Sequence, residues 1–119
     1  SPSITIVQDL LENGAEVIIT DPKVKASQIK KDLNSEELHK SQNSEFGFWR
    51  FSNDIYEAVK NADAVVILTE WDEYKKLDWQ KISEAMRAPS WVFDARSISD
   101  VERVRKAGLN VWSLGNGSI

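Results

Sequence analysis

Four short apolar segments constrain the fold of this chain more than any other feature. They are rich in Val and Ile, and they read EVIITDP (16–22), DAVVILTEW (63–71), SWVFDAR (90–96) and NVWSLG (110–115). The first three are continuously apolar instead of alternating with polar residues. Continuous apolar strands are typical of a parallel sheet that is covered on both faces. A weaker strand, GFWRFSN (47–53), is predicted to return to the same sheet.

Helical patterns separate the strands. They cover residues 1–14, 53–62, 77–86 and 99–108. Asp78 is a candidate N-cap, and Gly14 and Gly108 suit the position just past the end of a helix. A helix, a glycine and a strand follow one another twice, which favours βα units in a layered α/β fold. The polar segment 23–46 predicts no more than a surface helix and a loop.

The chain is long enough for one domain, residues 1–119, with its own hydrophobic core. Open α/β domains of this type normally begin with a strand, whereas this sequence begins with a helical pattern. We therefore expect the first strand of the sheet to be missing, or the chain to continue from another domain.

Composition excludes several classes of function. A net charge of −4 and a pI near 5.0 argue against a nucleic-acid partner. Without cysteine the chain has no thiol nucleophile and no thiolate metal site. His39 reads as a surface residue. Because no apolar run is long enough for a membrane span and no signal peptide is seen, we expect no membrane partner and a cytoplasmic location. Glycine-rich nucleotide motifs are also missing.

Polar residues follow three of the predicted strands, at residues 20–22, 69–71 and 94–96. In open α/β sheets, ligands bind outside the carboxyl ends of the strands. Glu70 and Trp71 would then stand at the rim of the sheet, where a carboxylate reaches water and an aromatic ring can wall a cleft.

Each of these residues also has a structural interpretation. Asp21 and Asp94 could cap the helices that follow them. Trp71 could close the top of the core, and Glu70 could pair with a base. Arg96 suits a phosphate because its guanidinium stays charged and donates in a planar fork, although a salt bridge is the commoner use of such a residue. The residues alone predict a phosphate-compatible α/β module without its own catalytic or metal site.

Five motifs in order make the pattern specific. They are GAEVIITDPK, DIYEAV, ADAVVILTEW with the following Glu73-Tyr74 and Leu77-Asp78, FDAR (93–96) and AGLNVWSLG. Together they resemble the C-terminal, UDP-binding domain of the UDP-glucose/GDP-mannose dehydrogenase family. The resemblance covers nearly the whole chain and is weakest over 24–50. The TEW form is closer to the UDP-glucose branch than to the GDP-mannose branch.

The resemblance implies a Rossmann-like, three-layer α/β/α fold with a mostly parallel sheet. It also implies a role for particular residues. Arg96 matches the arginine that contacts the UDP part of the substrate, and Glu70 and Trp71 match the turn beside that site. Asp94 matches an acid that orders the loop carrying the arginine.

Enzymes of this family oxidise the 6-hydroxyl of a nucleotide sugar to a carboxylate with two NAD. Their catalytic cysteine and NAD fingerprint lie in segments that this chain lacks, so we expect the isolated chain to be inactive. The implied partners are UDP-glucose or UDP, the N-terminal and central domains of a parent enzyme, and further copies in a homo-oligomer. The alternatives are a stand-alone nucleotide-sugar-binding or assembly module and a dehydrogenase domain for GDP-mannose or another UDP-sugar.

Overall fold

Helices and strands alternate along residues 2–33 and 47–114, the part of the chain that the computed structural model describes. The α-helices are α1 Pro2–Glu12, α2 Ala26–Leu33, α3 Ile55–Ala58, α4 Trp79–Ala85 and α5 Val101–Lys106, and a 3-10 helix spans Asp72–Lys76. The strands are β1 Glu16–Ile19, β2 Phe48–Phe51, β3 Ala64–Ile67, β4 Trp91–Asp94 and β5 Asn110–Ser113.

All the described strand pairs are parallel. The strands form two small sheets, β1-β2 and β3-β4-β5. This arrangement is a mostly parallel α/β fold of the Rossmann-like type, as the apolar segments and the helices between them predicted. The chain folds into two compact units, the first of residues 1–58 and the second of residues 59–119. One domain over the whole chain stays a prediction.

The first unit packs α1 and α2 with the β1-β2 sheet. The centre of its hydrophobic core is formed by the buried residues Ile29 and Leu33 of α2 and Trp49 of β2. Partly buried apolar residues surround them, namely Ile4, Val7, Leu11, Val17, Ile19, Val24 and Phe51. The sequence predicted only a surface helix near α2, because most of its residues are charged or polar. Two apolar residues one turn apart are nevertheless enough to attach it to the core.

The second unit buries one face of the β3-β4-β5 sheet. Ile67, Val92 and Val111 of this face are buried, together with Asp94 and Ser113. The helices α4 and α5 contact each other, and α5 contacts β5. Their buried residues are Trp79, Ile82 and Val104. Val104 of α5 is fully buried.

The opposite face of this sheet is more open than the sequence predicted. Val66 and Phe93, which face each other across the β3-β4 ladder, are 44% and 38% exposed. The ring of Phe93 stacks on Trp91, with ring centroids 5.5 Å apart. The continuous apolar strands predicted a sheet buried on both faces, and this expectation is wrong for these side chains.

Helix ends follow the predicted capping residues. Asp78 accepts a hydrogen bond from the Lys81 backbone N–H at the start of α4. Gly14 and Gly108 have φ values of 88° and 95°, which suit glycine because it has no Cβ to clash in the left-handed region. The helix predicted over 53–62 is shorter, because Asn61 adopts a φ of 59° and its N–H donates to the carbonyl of Ala85.

Strands are shorter than the apolar segments that predicted them. β3 ends at Ile67 and β4 at Asp94, so Glu70, Trp71 and Arg96 lie in the loops beyond them, while Asp94 is the last residue of its strand. The weaker strand predicted over 47–53 is present as β2 and pairs with β1. The 3-10 helix after Trp71 was not predicted. Residues 34–46, the part of the polar segment beyond α2, lie outside the described residues, and His39 is among them.

Candidate functional site

The carboxyl ends of β3 and β4 lie side by side in the second unit. The last residue pair of their ladder joins Ile67 to Asp94, and the N–H of Ala95 then donates to the carbonyl of Ile67 at 3.1 Å. Because the two strands are parallel, the loops that follow them leave the sheet at the same edge. This edge carries all four of the predicted site residues, since Glu70 and Trp71 follow β3 while Asp94 and Arg96 end and follow β4.

Asp94 holds the loop that carries Arg96. Its side chain is fully buried, at 0% relative exposure. Oδ1 accepts from the backbone N–H of Arg96 at 3.0 Å, and Oδ2 accepts from the N–H and the Oγ of Ser99 at 2.7 and 2.6 Å. A carboxylate taken out of water needs such donors, because an unpaired buried charge is strongly unfavourable. Asp94 therefore orders the loop, the role that the resemblance implied for it.

Asp94 does not cap the helix that follows, which was the alternative interpretation of this acid. The N-cap of α5 is Asp100, whose side chain accepts from the N–H of Arg103 at 3.3 Å. The capping interpretation is therefore wrong for Asp94. The five-residue spacing between Asp94 and Ser99 leaves room for the turn that brings the serine back to the carboxylate.

The guanidinium of Arg96 pairs with the carboxylate of Glu70 through Nη2 and Oε1. Both side chains are about half exposed, at 47% for Arg96 and 57% for Glu70. The salt bridge that the residues alone favoured for Arg96 is thus present. Contact of these two side chains with a ligand stays a prediction. Ser97, next in the loop, adopts a φ of 55°.

Trp71 lies between Glu70 and the 3-10 helix. It is half-buried, and its backbone is extended, with φ −80° and ψ 135°. Its carbonyl accepts from the N–H of Tyr74 at 3.0 Å, which closes the first turn of the 3-10 helix. Tyr74 and Leu77 are buried and attach this segment to the unit. The backbone of Trp71 is therefore fixed where the chain passes from Glu70 into the 3-10 helix.

Ser99 belongs to the site but was not predicted from the sequence. It lies outside the FDAR motif, and a serine before a helix is most often read as a cap. The signal that could have found it is the pair Ser99-Asp100: only one of the two can be the N-cap, so the other is available to the buried carboxylate. The hydrogen bonds to Asp94 make Ser99 part of the site's support.

Asp21, the remaining strand-end acid, closes a turn in the first unit. Its Oδ1 accepts from the backbone N–H groups of Lys23 and Val24 at 2.8 and 3.0 Å. The following helix begins only at Ala26, so Asp21 caps the turn and not the helix. An open cavity of about 400 Å³ lies here, lined by residues 21–26 together with Phe51 and Asn53. This cavity was not predicted from the sequence.

Two further properties follow from the described residues. No group of three or more His, Cys, Asp or Glu side chains among them could hold a metal ion. None of the helices in residues 2–33 and 47–114 has the length and apolar character needed to cross a membrane.

A parallel α/β fold with an arginine held at the carboxyl edge of the sheet is typical of domains that bind nucleotides. The model of the UDP-glucose/GDP-mannose dehydrogenase family, UDP binding domain, matches residues 1–101. The chain belongs to this family, which confirms the resemblance read from its motifs.

Curated relatives agree with the family. UDP-glucose 6-dehydrogenase 4 of Oryza sativa subsp. japonica is 41% identical over 97% of this chain and 26% of its own length. UDP-glucose 6-dehydrogenase 4 of Arabidopsis thaliana is 40% identical over the same shares. UDP-glucose 6-dehydrogenase of Drosophila melanogaster is 40% identical over 95% of this chain and 24% of its own length. The chain thus spans about a quarter of the length of these relatives.

Proposed function

We propose that this chain is the UDP-sugar-binding domain of an NAD-dependent UDP-glucose 6-dehydrogenase. One observation carries the proposal: the Arg96 guanidinium is half exposed at the carboxyl edge of the sheet, while its backbone is fixed by the buried Asp94. Such a group is available to a ligand and yet well placed. The family and the names of the relatives support a uridine diphosphate as that ligand.

Each site residue has a physical role in this proposal. Arg96 donates to the diphosphate, because a guanidinium is always charged and can donate two parallel hydrogen bonds. Trp71 forms a wall beside it, and Asp94 and Ser99 keep the loop in position. Binding energy gained at the diphosphate, away from the reacting carbon, serves to orient the sugar toward the rest of the enzyme.

Oxidation of UDP-glucose to UDP-glucuronate with two NAD would take place outside this chain. The turns after β1 and β3 read Thr20-Asp21-Pro22 and Thr69-Glu70-Trp71, without the glycines that let a backbone approach a dinucleotide pyrophosphate. The described residues therefore do not fit NAD, and the chain has no cysteine for covalent catalysis. We assign the NAD site and the catalytic residues to the N-terminal and central domains of the parent enzyme.

Residues 1–119 would form one domain of a homo-oligomeric enzyme in the cytoplasm. Sedimentation of the parent enzyme tests the oligomer, and a monomer would contradict it.

Titration followed by NMR tests the proposed ligand. The 119-residue protein is titrated in parallel with UDP-glucose, UDP, GDP and NAD. We expect the amide signals of residues 94–99 and the Trp71 signals to shift with the uridine ligands and not with NAD. Arg96→Ala should weaken UDP binding about 10- to 100-fold, the range expected for a charge-assisted hydrogen bond to phosphate.

Arg87→Ala is the matched control. Arg87 pairs with Asp63, just before β3, at the opposite end of the strands, and its removal changes the net charge by the same amount. UDP binding should be unchanged in this variant. If both variants bound UDP equally weakly, the loss would be explained by the change in net charge alone. That result would contradict a UDP site at Arg96. A preference for GDP would move the assignment to the GDP-mannose branch.

A further inference from the structure

Arg96 is held in two independent ways. Its backbone N–H donates to the buried Asp94, whereas its guanidinium pairs with the half-exposed Glu70. The first interaction is protected from water, and the second is screened by it. A competitor can therefore replace Glu70 at the guanidinium without disturbing the loop.

The carboxylate of Glu70 and a ligand phosphate need the same donors. A guanidinium presents its N–H groups in one plane, and carboxylates and phosphates accept from the same edge of it. Glu70 has one negative charge, whereas a diphosphate has at least two. A diphosphate should therefore replace Glu70 at the guanidinium of Arg96. The half-exposed Glu70 side chain can be solvated by water when it is displaced.

From this geometry we propose that Glu70 is an internal competitor of the ligand, occupying Arg96 until a diphosphate displaces it. The inference rests on the proposed function, in which Arg96 binds the diphosphate of UDP. It gives a specific role to Glu70, which the resemblance placed only in the turn beside the site. The carboxylate favours highly charged ligands, since an anion with a single charge displaces it less readily than a diphosphate does.

Charge neutralisation tests the inference. Glu70→Gln keeps the size of the side chain and one accepting oxygen, replaces the other oxygen by an NH2 donor, and removes the competing charge. UDP should bind this variant about three- to tenfold more tightly than the wild type, because an exposed ion pair is lost and a like charge no longer faces the phosphate. Isothermal titration calorimetry measures the Kd.

Glu73→Gln is the matched control. It removes the same charge from the 3-10 helix. Glu73 takes part in none of the ion pairs seen among the described residues. Its affinity for UDP should equal that of the wild type within about twofold. The double variant Glu70→Gln, Arg96→Ala should bind no better than Arg96→Ala alone, since the gain depends on a freed guanidinium.

Each outcome decides between the two proposals. Weaker or unchanged UDP binding by Glu70→Gln, with binding that still needs Arg96, overturns the competitor role and leaves the proposed function intact. UDP binding that ignores Arg96→Ala overturns both. Tighter binding by Glu70→Gln, with unshifted amide signals for residues 94–99 in the free protein, supports the competitor and excludes a change in the loop.

Discussion

Two strand ends of this molecule carry an aspartate, and the two aspartates differ in how far they are buried. Asp21, beyond β1 in the first unit, is half-buried and accepts from the N–H groups of Lys23 and Val24. Asp94, at the end of β4 in the second unit, is fully buried and accepts from Arg96 and Ser99. Both acids fix the loop after a parallel strand, but only the second does so without water.

The difference shows what burial adds to a turn. A half-exposed carboxylate can exchange its backbone donors for water, so its removal leaves groups that water can satisfy. A buried carboxylate has no such substitute. The loop of Asp94 is therefore fixed more firmly than the loop of Asp21, and it is this firmer loop that carries the residue we assign to the ligand, Arg96.

Asp94→Ala should have the largest effect. It removes a buried acceptor and leaves the partly buried N–H groups of Arg96 and Ser99 without it, and we expect the second unit to lose about 3 kcal/mol of stability. Hydrogen exchange of the β4 and β5 amides, with urea unfolding, measures the loss. Asp100→Ala is the control, since it removes an exposed cap and should cost no more than about 1 kcal/mol. If Asp94→Ala and Asp100→Ala lost equal stability, burial of the carboxylate would not explain the strength of this loop.

Asp21→Ala should have an intermediate effect. The variant loses the acceptor for Lys23 and Val24 at the turn, and we expect the first unit to lose about 1 kcal/mol. Hydrogen exchange of the α2 and β2 amides would report it. A loss of stability as large as that of Asp94→Ala would show that partial exposure of the carboxylate does not reduce the cost of removing it.

Ser97→Gly should have the smallest effect. The φ of 55° is unfavourable for a serine, so glycine relieves strain, but glycine also has more freedom to lose on folding. The two terms oppose each other, and the free energy of unfolding should change by less than about 0.5 kcal/mol. Urea unfolding measures it. A large loss would mean that the Ser97 side chain has an unrecognised role in the loop.

The strands could be predicted from the sequence because continuous runs of Val and Ile are a local signal that can be read without knowing the rest of the fold. The capping roles of Asp78 and the two helix-ending glycines were also predictable, since they act on neighbouring residues. The burial of Ile29 and Leu33 was not, because it depends on which distant residues pack against a helix that is mostly polar. The exposure of Val66 and Phe93 escaped prediction for the same reason.

The candidate site divides along the same line. Motif order and the carboxyl-edge rule brought Glu70 and Arg96 to one place, and the structure pairs them. The choice between capping and loop support for Asp94 needed the actual path of residues 95–100, because both uses require an acid before a helix. Ser99 was not predicted, because its hydrogen bonds to Asp94 depend on the turn that residues 95–98 make and not on a sequence motif.

The last residue pair of the β3-β4 ladder has a consequence for how the site tolerates changes in length. Glu70 lies three residues beyond Ile67, and Arg96 lies two residues beyond the facing Asp94. One inserted residue would move either side chain by about 3.3 Å along an extended chain, enough to separate the carboxylate from the guanidinium. Apolar exchanges within the strands leave these distances unchanged. Insertions and deletions should therefore be far more damaging in these two connections than substitutions in the strands before them.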